Sequence, residues 1–164
     1  MLDFTPLDGK DAVAVNEMSH LATDIVREHF DPLIGKAQND YMLARFQTPQ
    51  AIAEQTAHGS RYYFVRENGQ DAGFVAFYPR DGKMYLSKFY LKKEMRGKGY
   101  AHEMLSFVLD ETKKAGLPAV FLNVNRYNDA CRTYEALGFN VARYEVNDIG
   151  NGFVMDDAVY EYTL

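Results

Sequence analysis

The chain has 164 residues, enough for one domain with a sizeable hydrophobic core, and its 47% hydrophobic and 25% charged residues are the balance of a soluble globular protein. No apolar run is long enough to span a bilayer, a formal charge of −5 argues against a general nucleic-acid binder, and the single cysteine excludes an intrachain disulfide. The acidic N-terminus is unlike a signal peptide. We therefore expect one cytoplasmic domain, residues 1–164, without membrane or nucleic-acid partners.

The first third of the chain shows helical patterns. Apolar residues recur at helical spacing over about residues 11–30, and Asp31-Pro32 is expected to end that helix, because proline disfavours helical geometry in the residue before it. Two shorter helices are predicted over 37–46 and 49–58, with Gly59 closing the second.

Strand patterns follow. Asn68-Gly69 and Asp81-Gly82 are hairpin signals, and they predict antiparallel strands over about 61–67, 71–79 and 83–91. A helix over 100–115, a buried strand over 119–124 and a short helix within 128–139 come next, and two last strands cover 140–146 and 153–164. The strand, helix and strand between 83 and 124 form a β-α-β crossover, which makes its two strands parallel.

This order of elements predicts an α/β (α+β) fold. We expect a mixed, mostly antiparallel sheet of about six to seven strands, with one β-α-β crossover and helices on both faces.

The turn between the third strand and the long helix has an unusual composition, LKKEMRGKGYA at residues 91–101. The first turn of a helix leaves backbone N–H groups unpaired at the positive end of the helix dipole, where anions bind. Gly97 and Gly99 allow close approach of the backbone, and Arg96 and Lys98 add positive charge. The pattern indicates a phosphate or pyrophosphate site, with an ordinary solvated turn as the alternative.

Two well-known phosphate-binding loops do not fit. A Walker A loop requires Lys and then Ser or Thr after its last glycine, where this chain has Tyr100. A dinucleotide fingerprint requires a third glycine, where this chain has His102, and it opens a βαβ unit at the start of the fold.

The run Arg96-Gly97-Lys98-Gly99-Tyr100-Ala101 resembles the R/Q-x-x-G-x-G/A signature of the GNAT superfamily of N-acetyltransferases. The later run NVNRYNDACRTYEALGF, residues 123–139, resembles the second motif of that family. The two motifs occur in the family's order and on the expected elements, so the resemblance implies the GNAT fold.

The resemblance also implies a cofactor site for acetyl-CoA, with no metal. Its signature turn would hold the pyrophosphate. The end of the family's fourth strand, which corresponds here to the strand over 83–91, would pair with the pantetheine arm through main-chain groups, and an asparagine would bond the same arm. The residues that correspond here are Phe89, Leu91, Arg96, Gly97, Lys98, Gly99, Tyr100, Ala101, Asn128 and Tyr134.

Two of these assignments have alternatives. The spacing from Asn128 to Tyr134 is about one residue shorter than in the family, so Asn125 is a rival for the asparagine role, and either residue would also serve to cap the next helix. Tyr134 corresponds to the family's tyrosine near the coenzyme sulfur, where a phenol can protonate the leaving thiolate. Its alternative role is a tyrosine packed in the core.

Other residues carry less specific signals. A ping-pong route through Cys131 is less favoured than direct transfer, because no histidine lies near it in the sequence and a lone cysteine is usually a small buried residue. The four histidines do not have metal-ligand spacing. Asp156 and Asp157 could bind a cationic amine or supply a base, and Tyr41 and Met42 lie where related proteins shape an acceptor pocket.

The resemblance therefore implies an acetyl-CoA-dependent N-acetyltransferase, an acyltransferase that acetylates a primary amine by direct attack. The acidic charge favours a small cationic amine as the acceptor, and a peptide or protein amine is the other expected acceptor. A regulatory module that binds acetyl-CoA without transfer is the alternative function, and a homodimer through the closing strands is a possible assembly.

Overall fold

The computed structural model describes residues 1–164, which form seven strands and five α-helices. In chain order the elements are β1 (Leu2–Pro6), α1 (Ala12–Ile34), α2 (Lys36–Phe46), α3 (Pro49–Ala57), β2 (Arg61–Glu67), β3 (Gln70–Arg80), β4 (Lys83–Leu91), α4 (Tyr100–Lys114), β5 (Ala119–Asn125), α5 (Ala130–Ala136), β6 (Asn140–Gly150) and β7 (Phe153–Thr163). No helix is both long and apolar enough to cross a bilayer.

The seven strands have the order β1-β2-β3-β4-β5-β7-β6. The step from β4 to β5 is parallel, with Met84 opposite Val120 and Tyr85 opposite Phe121. The pairs β1–β2, β2–β3, β5–β7 and β6–β7 are antiparallel. The mixed, mostly antiparallel sheet with one crossover helix, α4, is the architecture that the sequence predicts.

Both hairpin predictions are confirmed. Asn68 and Gly69 have φ values of 50° and 81°, and Asp81 and Gly82 have 52° and 77°. Positive φ at both central residues is the type I′ pattern, whose twist matches that of the flanking strands. The turns therefore fix the registers of β2, β3 and β4.

Two sequence predictions need correction at the start of the chain. Helix α1 does not end at Asp31-Pro32 but continues to Ile34, because a proline this close to the end removes only one helical bond, and the amide of Gly35 still donates to the Asp31 carbonyl at 3.1 Å. The chain also opens with a strand that the sequence pattern did not reveal, since β1 is specified by its pairing with β2.

Residues 1–78 and 88–104 form one compact unit. The apolar face of α1 packs on alternate residues of β2 and β3, with Tyr90 of β4 at the border of the same cluster. Gly73 is required for the approach of β3 to β4, because a Cβ there would lie 2.1 Å from the carbonyl oxygen of Tyr90. Phe74 and Ala76 of β3 thus lie in the cluster formed with α1, while Val75 and Phe77, on the opposite face of the strand, are also fully buried.

Residues 79–87 and 105–164 form the second compact unit. Tyr134 of α5 packs against Phe139 and Tyr160, with ring centroids 5.7 and 6.2 Å away. An ion pair between Lys83 and Glu161, at 2.6 Å, links the start of β4 to β7. Strand β6 is the edge strand, and most of its side chains are exposed.

Candidate functional site

The backbone between β4 and α4 is shaped by its glycines. A single 3₁₀ turn, Lys93–Met95, leads into Arg96, which is extended, and α4 begins at Tyr100. Gly97 and Gly99 have φ values of 78° and 80°, in the left-handed region that costs other residues about 1–2 kcal/mol. The turn that the sequence indicates is therefore present, and its conformation requires glycine.

The same turn leaves an open surface over its amides. A Cβ at Gly97 or Gly99 would meet no atom within 4 Å. The amides of Gly97, Lys98 and Gly99 donate to no carbonyl of the chain, and those of the first turn of α4 have no partner within the helix. A row of exposed donors at a helix N-terminus is suited to an oxyanion such as phosphate.

The two cations of the turn have different environments. The side chain of Lys98 is exposed and has no partner. The guanidinium of Arg96 donates to the Leu91 carbonyl from Nε at 3.2 Å and from Nη2 at 3.0 Å, and both terminal nitrogens lie 3.3 Å from the carboxylate oxygens of Glu28. Arg96 therefore ties the turn to β4 and α1, while Lys98 is the free charge.

The first turn of α4 is also held from its side. The hydroxyl of Tyr100 donates to the carboxylate of Glu67 at the end of β2, and Glu103 accepts the amide of Leu2 at 3.3 Å. The side chain of Tyr100 is thus a structural support, and only its amide faces the open surface with the neighbouring amides.

The end of β4 contains the two residues expected to pair with a cofactor arm. Phe89 and Leu91 are half-buried and share one face of the strand, and they follow the two residues of β4, Met84 and Tyr85, that pair with β5. The carbonyl of Leu91 already accepts two bonds from Arg96, as described above, and the next amide, Lys92, donates to Ala72 at 2.8 Å.

Lys88 is a residue that the sequence analysis did not single out. Its side chain is half-buried, with the ammonium nitrogen 5.9 Å from the centre of the Phe46 ring, and burial lowers its pKa to about 8. The signal was present in the alternation of β4, because Lys88 falls in register with the buried Met84 and Leu86 rather than on the polar face.

In the second unit, Tyr134 lies on α5 and is buried, with 8% of its surface exposed. Its neighbour Tyr160 donates its hydroxyl to Glu135 at 2.9 Å, and burial, followed by that bond, raises the pKa of Tyr160. The aromatic contacts of Tyr134 account for the position of its ring, and its phenol is the candidate acid.

Both rival asparagines act in the loop between β5 and α5. The side-chain oxygen of Asn128 accepts the amide of Ala130 at 2.9 Å, and that of Asn125 accepts the amide of Tyr127 at 2.9 Å. Asn128 thus bonds the first residue of α5, as a helix-capping residue would, whereas Asn125 closes a turn within the loop before the helix. The amide of Asn128 also donates to the carbonyl of Asn125 at 2.9 Å, so the two residues belong to one turn.

Cys131 is a poor nucleophile in this structure. Its thiol lies 3.6 Å from the Asn125 carbonyl oxygen, and burial raises its pKa. A raised pKa lowers the fraction of reactive thiolate. The geometry gives no support to a route through an acyl-cysteine.

The adjacent aspartates point in different directions. Asp156 pairs with Arg126 at 2.7 Å, whereas Asp157 is 2% exposed and accepts from Asn123 at 3.3 Å. Burial raises the pKa of Asp157, and the nearby carboxylates of Glu145 and Asp156 act in the same direction. Asp157 thus has little access to an amine from solvent. No group of three or more His, Cys, Asp or Glu side chains is placed to hold a metal ion.

Comparisons with known proteins were made on sequence and on structure. The model of the acetyltransferase (GNAT) family matches residues 23–139, whereas no curated protein matches the sequence. A PaiA N-acetyltransferase from Thermoplasma acidophilum, solved with coenzyme A, has a similar structure, with a TM-score of 0.78 and 16% identity over 100% of this chain and 99% of that one.

Two further solved structures show the same similarity of fold. The ribosomal-protein-S18-alanine N-acetyltransferase from Escherichia coli has a TM-score of 0.67 and 19% identity, over 99% of this chain and 94% of that one. A GNAT family acetyltransferase from Elizabethkingia anophelis, with acetyl-CoA bound, has a TM-score of 0.66 and 12% identity, over 99% and 98% of the two chains.

Proposed function

The chain belongs to the acetyltransferase (GNAT) family, and from that premise we propose that it is an acyltransferase that moves an acetyl group from acetyl-CoA directly to a primary amine. The observation that carries the proposal is the turn before α4, where two glycines at positive φ leave a row of unpaired amides beside an exposed lysine. That surface has the chemistry of a pyrophosphate site.

The cofactor would be held by the residues that resemble the family's motifs. The amides from Gly97 to Ala101 and the charge of Lys98 bind the pyrophosphate, and the main chain at Phe89 and Leu91 pairs with the pantetheine arm. Because Arg96 already bonds Leu91 and Glu28, it acts first by fixing the turn and second by adding positive charge. Asn128 bonds the same arm, with Asn125 as the alternative.

The transfer requires stabilisation of an oxyanion, protonation of the leaving thiolate and removal of a proton from the amine. The neutral amine attacks the thioester carbonyl, which forms a C–N bond and an oxyanion that main-chain N–H groups can stabilise. The C–S bond then breaks, and Tyr134 gives its proton to the leaving thiolate, while a base takes a proton from the amine. The products are an N-acetylated amine and CoA. The raised pKa of the Cys131 thiol favours this direct route over an acyl-enzyme.

The acceptor is a primary amine, either a small molecule or the amine of a peptide or protein. We further propose that residues 1–164 act as one N-acetyltransferase domain. A homodimer through the edge strand β6, whose Val141, Tyr144 and Val146 are exposed, is the proposed assembly, and sedimentation velocity would show it as twice the 18.7 kDa chain mass.

The proposal is tested by thermal unfolding with acetyl-CoA, CoA, ATP and NAD in parallel. A ligand at a hundredfold excess over its dissociation constant adds about 2.7 kcal/mol, which is a shift of roughly 5–10 °C for a domain of this size. We expect that shift with acetyl-CoA and CoA only. It should shrink in Lys98→Glu and persist in Lys114→Glu, an equal charge change at an exposed position on the other end of α4.

Two results would contradict the proposal. A preference for ATP or NAD would indicate a different nucleotide site. Binding of acetyl-CoA without release of CoA in the presence of any amine from a broad panel would instead identify a binding module without transfer activity.

A further inference from the structure

Lys88 is a half-buried cation that has no counter-charge. Its ammonium makes no hydrogen bond or ion pair in the chain, and it lies 5.9 Å from the centre of the Phe46 ring. Burial is the sole cause of its lowered pKa, which agrees with the absence of a neighbouring carboxylate. Charges that are withdrawn from water in proteins are normally paired, so a half-buried cation without a partner is a candidate to bind an anion that the chain itself does not supply.

The surroundings of Lys88 favour an anionic partner. The guanidinium of Arg45 lies 5.1 Å from the centre of the same Phe46 ring, so two cations flank one aromatic side chain at the end of α2. A carboxylate can accept charge-assisted bonds from the Lys88 ammonium.

The end of α2 also holds an unpaired acceptor. Gln47, the residue after Phe46, is 6% exposed, and its side-chain oxygen accepts no hydrogen bond. Unsatisfied buried polar atoms are rare in folded proteins. This oxygen is itself fully buried, so it is not within reach of a ligand from solvent, and the case for a bound anion rests on Lys88.

The position of Lys88 on β4 connects it to the proposed reaction. Lys88 immediately precedes Phe89, whose main chain is assigned to the pantetheine arm, and successive side chains of a strand project to opposite faces. A ligand bound by Lys88 therefore lies within one side-chain length of the strand segment that holds the cofactor.

From these observations we propose that the acceptor is a primary amine that also carries a carboxylate, as in an amino acid or a short peptide, and that Lys88 binds this carboxylate. The proposal rests on the proposed function for the identity of the reaction. It does not require Lys88 to exchange a proton with the acceptor.

Matched pairs of amines, with and without a carboxylate, provide the test. L-alanine and ethylamine, L-phenylalanine and phenethylamine, and L-ornithine and putrescine are each titrated calorimetrically into the protein with and without CoA, and each is assayed for acetylation. We expect at least about tenfold tighter binding of the carboxylate member in one or more pairs, the range of a bond to a charged group. Equal binding within every pair, or preference for the decarboxylated member, overturns the proposal.

Variants of Lys88 separate binding from proton transfer. In Lys88→Met, KM for the carboxylate-bearing amine should rise at least about tenfold with kcat nearly unchanged, and Lys88→Arg should keep most of the affinity because it keeps the charge. Lys114→Met, at an exposed position, is the control for loss of one charge. A fall in kcat with unchanged KM, which Arg does not rescue, would make Lys88 a base and overturn the anion-binding role.

Two further readouts keep the test decisive. Loss of an unpaired, half-buried charge should raise the Tm of Lys88→Met above that of the parent, which also shows that the variant folds. If the protein binds neither CoA nor acetyl-CoA, the proposed function fails, but calorimetry with the amine pairs alone still decides whether Lys88 binds a carboxylate.

Discussion

Arg96 and Glu28 form a bidentate ion pair, with Nη1 to Oε1 and Nη2 to Oε2 both at 3.3 Å. The pair joins residues that are 68 positions apart in the sequence and places a carboxylate directly beside the turn proposed to hold pyrophosphate. If the turn binds pyrophosphate as proposed, the negative charge of Glu28 should reduce the attraction of Arg96 for phosphate, so we expect the pair to influence cofactor affinity as well as the position of the turn.

Glu28→Gln should therefore tighten the binding of CoA. Removing the carboxylate leaves the charge of Arg96 uncompensated, and we expect a dissociation constant about two- to fivefold lower at low salt, an effect that salt screens. Calorimetric titration with CoA measures it, and Glu17→Gln, at an exposed position of α1, is the control. Weaker binding in Glu28→Gln would instead show that positioning of Arg96 outweighs its charge.

Gly99→Ala should reduce both stability and cofactor affinity. At φ +80° an alanine costs about 1–2 kcal/mol, and its methyl group would occupy the open surface over the amides. Gly82→Ala is a matched control, because Gly82 has φ +77° and equally open surroundings in a hairpin turn. Thermal unfolding should show similar losses in both variants. If Gly82→Ala also weakened CoA binding, or Gly99→Ala did not, the turn would not be the cofactor site.

Tyr134→Phe should lower turnover without weakening CoA binding. If the phenol protonates the leaving thiolate, its loss should reduce kcat on the order of 100-fold. The ring contacts with Phe139 and Tyr160 remain in the variant, so the fold should be retained. The control is Tyr160→Phe, which removes a neighbouring hydroxyl bonded to Glu135 and should leave kcat within a few-fold. Full turnover in Tyr134→Phe would show that Tyr134 is not the general acid that protonates the thiolate.

Asp157→Asn should stabilise the protein at neutral pH. Burial raises the pKa of Asp157 in the folded state above its unfolded value, so the folded protein binds more protons and stability falls as pH rises through that interval. The Asn variant avoids this cost, and its gain in Tm at pH 7 should disappear near about pH 3, where the carboxyl is largely protonated in the unfolded state as well as in the folded one. A gain independent of pH would point to packing rather than charge.

The turns and the central elements could be predicted from the sequence because their signals are local. Asn68-Gly69 and Asp81-Gly82 adopt the positive φ values that their residue types favour, and α4 begins where the glycines end. Strand β1 could not be predicted, because only its pairing with β2 makes Leu2–Pro6 extended. The extension of α1 past Pro32 likewise depends on the bond from Gly35 to Asp31.

Some features of the candidate site could likewise be predicted from the sequence, and others are visible only in the structure. The glycine conformation and the exposed charge of Lys98 follow from the motif itself. The ion pair of Arg96 with Glu28 joins distant segments, and no short pattern encodes it. The unusual position of Lys88 could have been predicted from the sequence, because a lysine in register with Met84 and Leu86 interrupts an apolar face. Its lack of a partner is visible only in the structure.

The close approach of β3 to β4 has a consequence for anyone who builds variant libraries of this protein. A side chain at Gly73 would collide with main-chain atoms of Tyr90 and Leu91 that have no freedom to rotate away, so this site should accept a single residue type for reasons of backbone packing. In a saturation screen it would score as intolerant as an active-site residue. Intolerance to substitution at residue 73 would then measure strand spacing rather than catalysis.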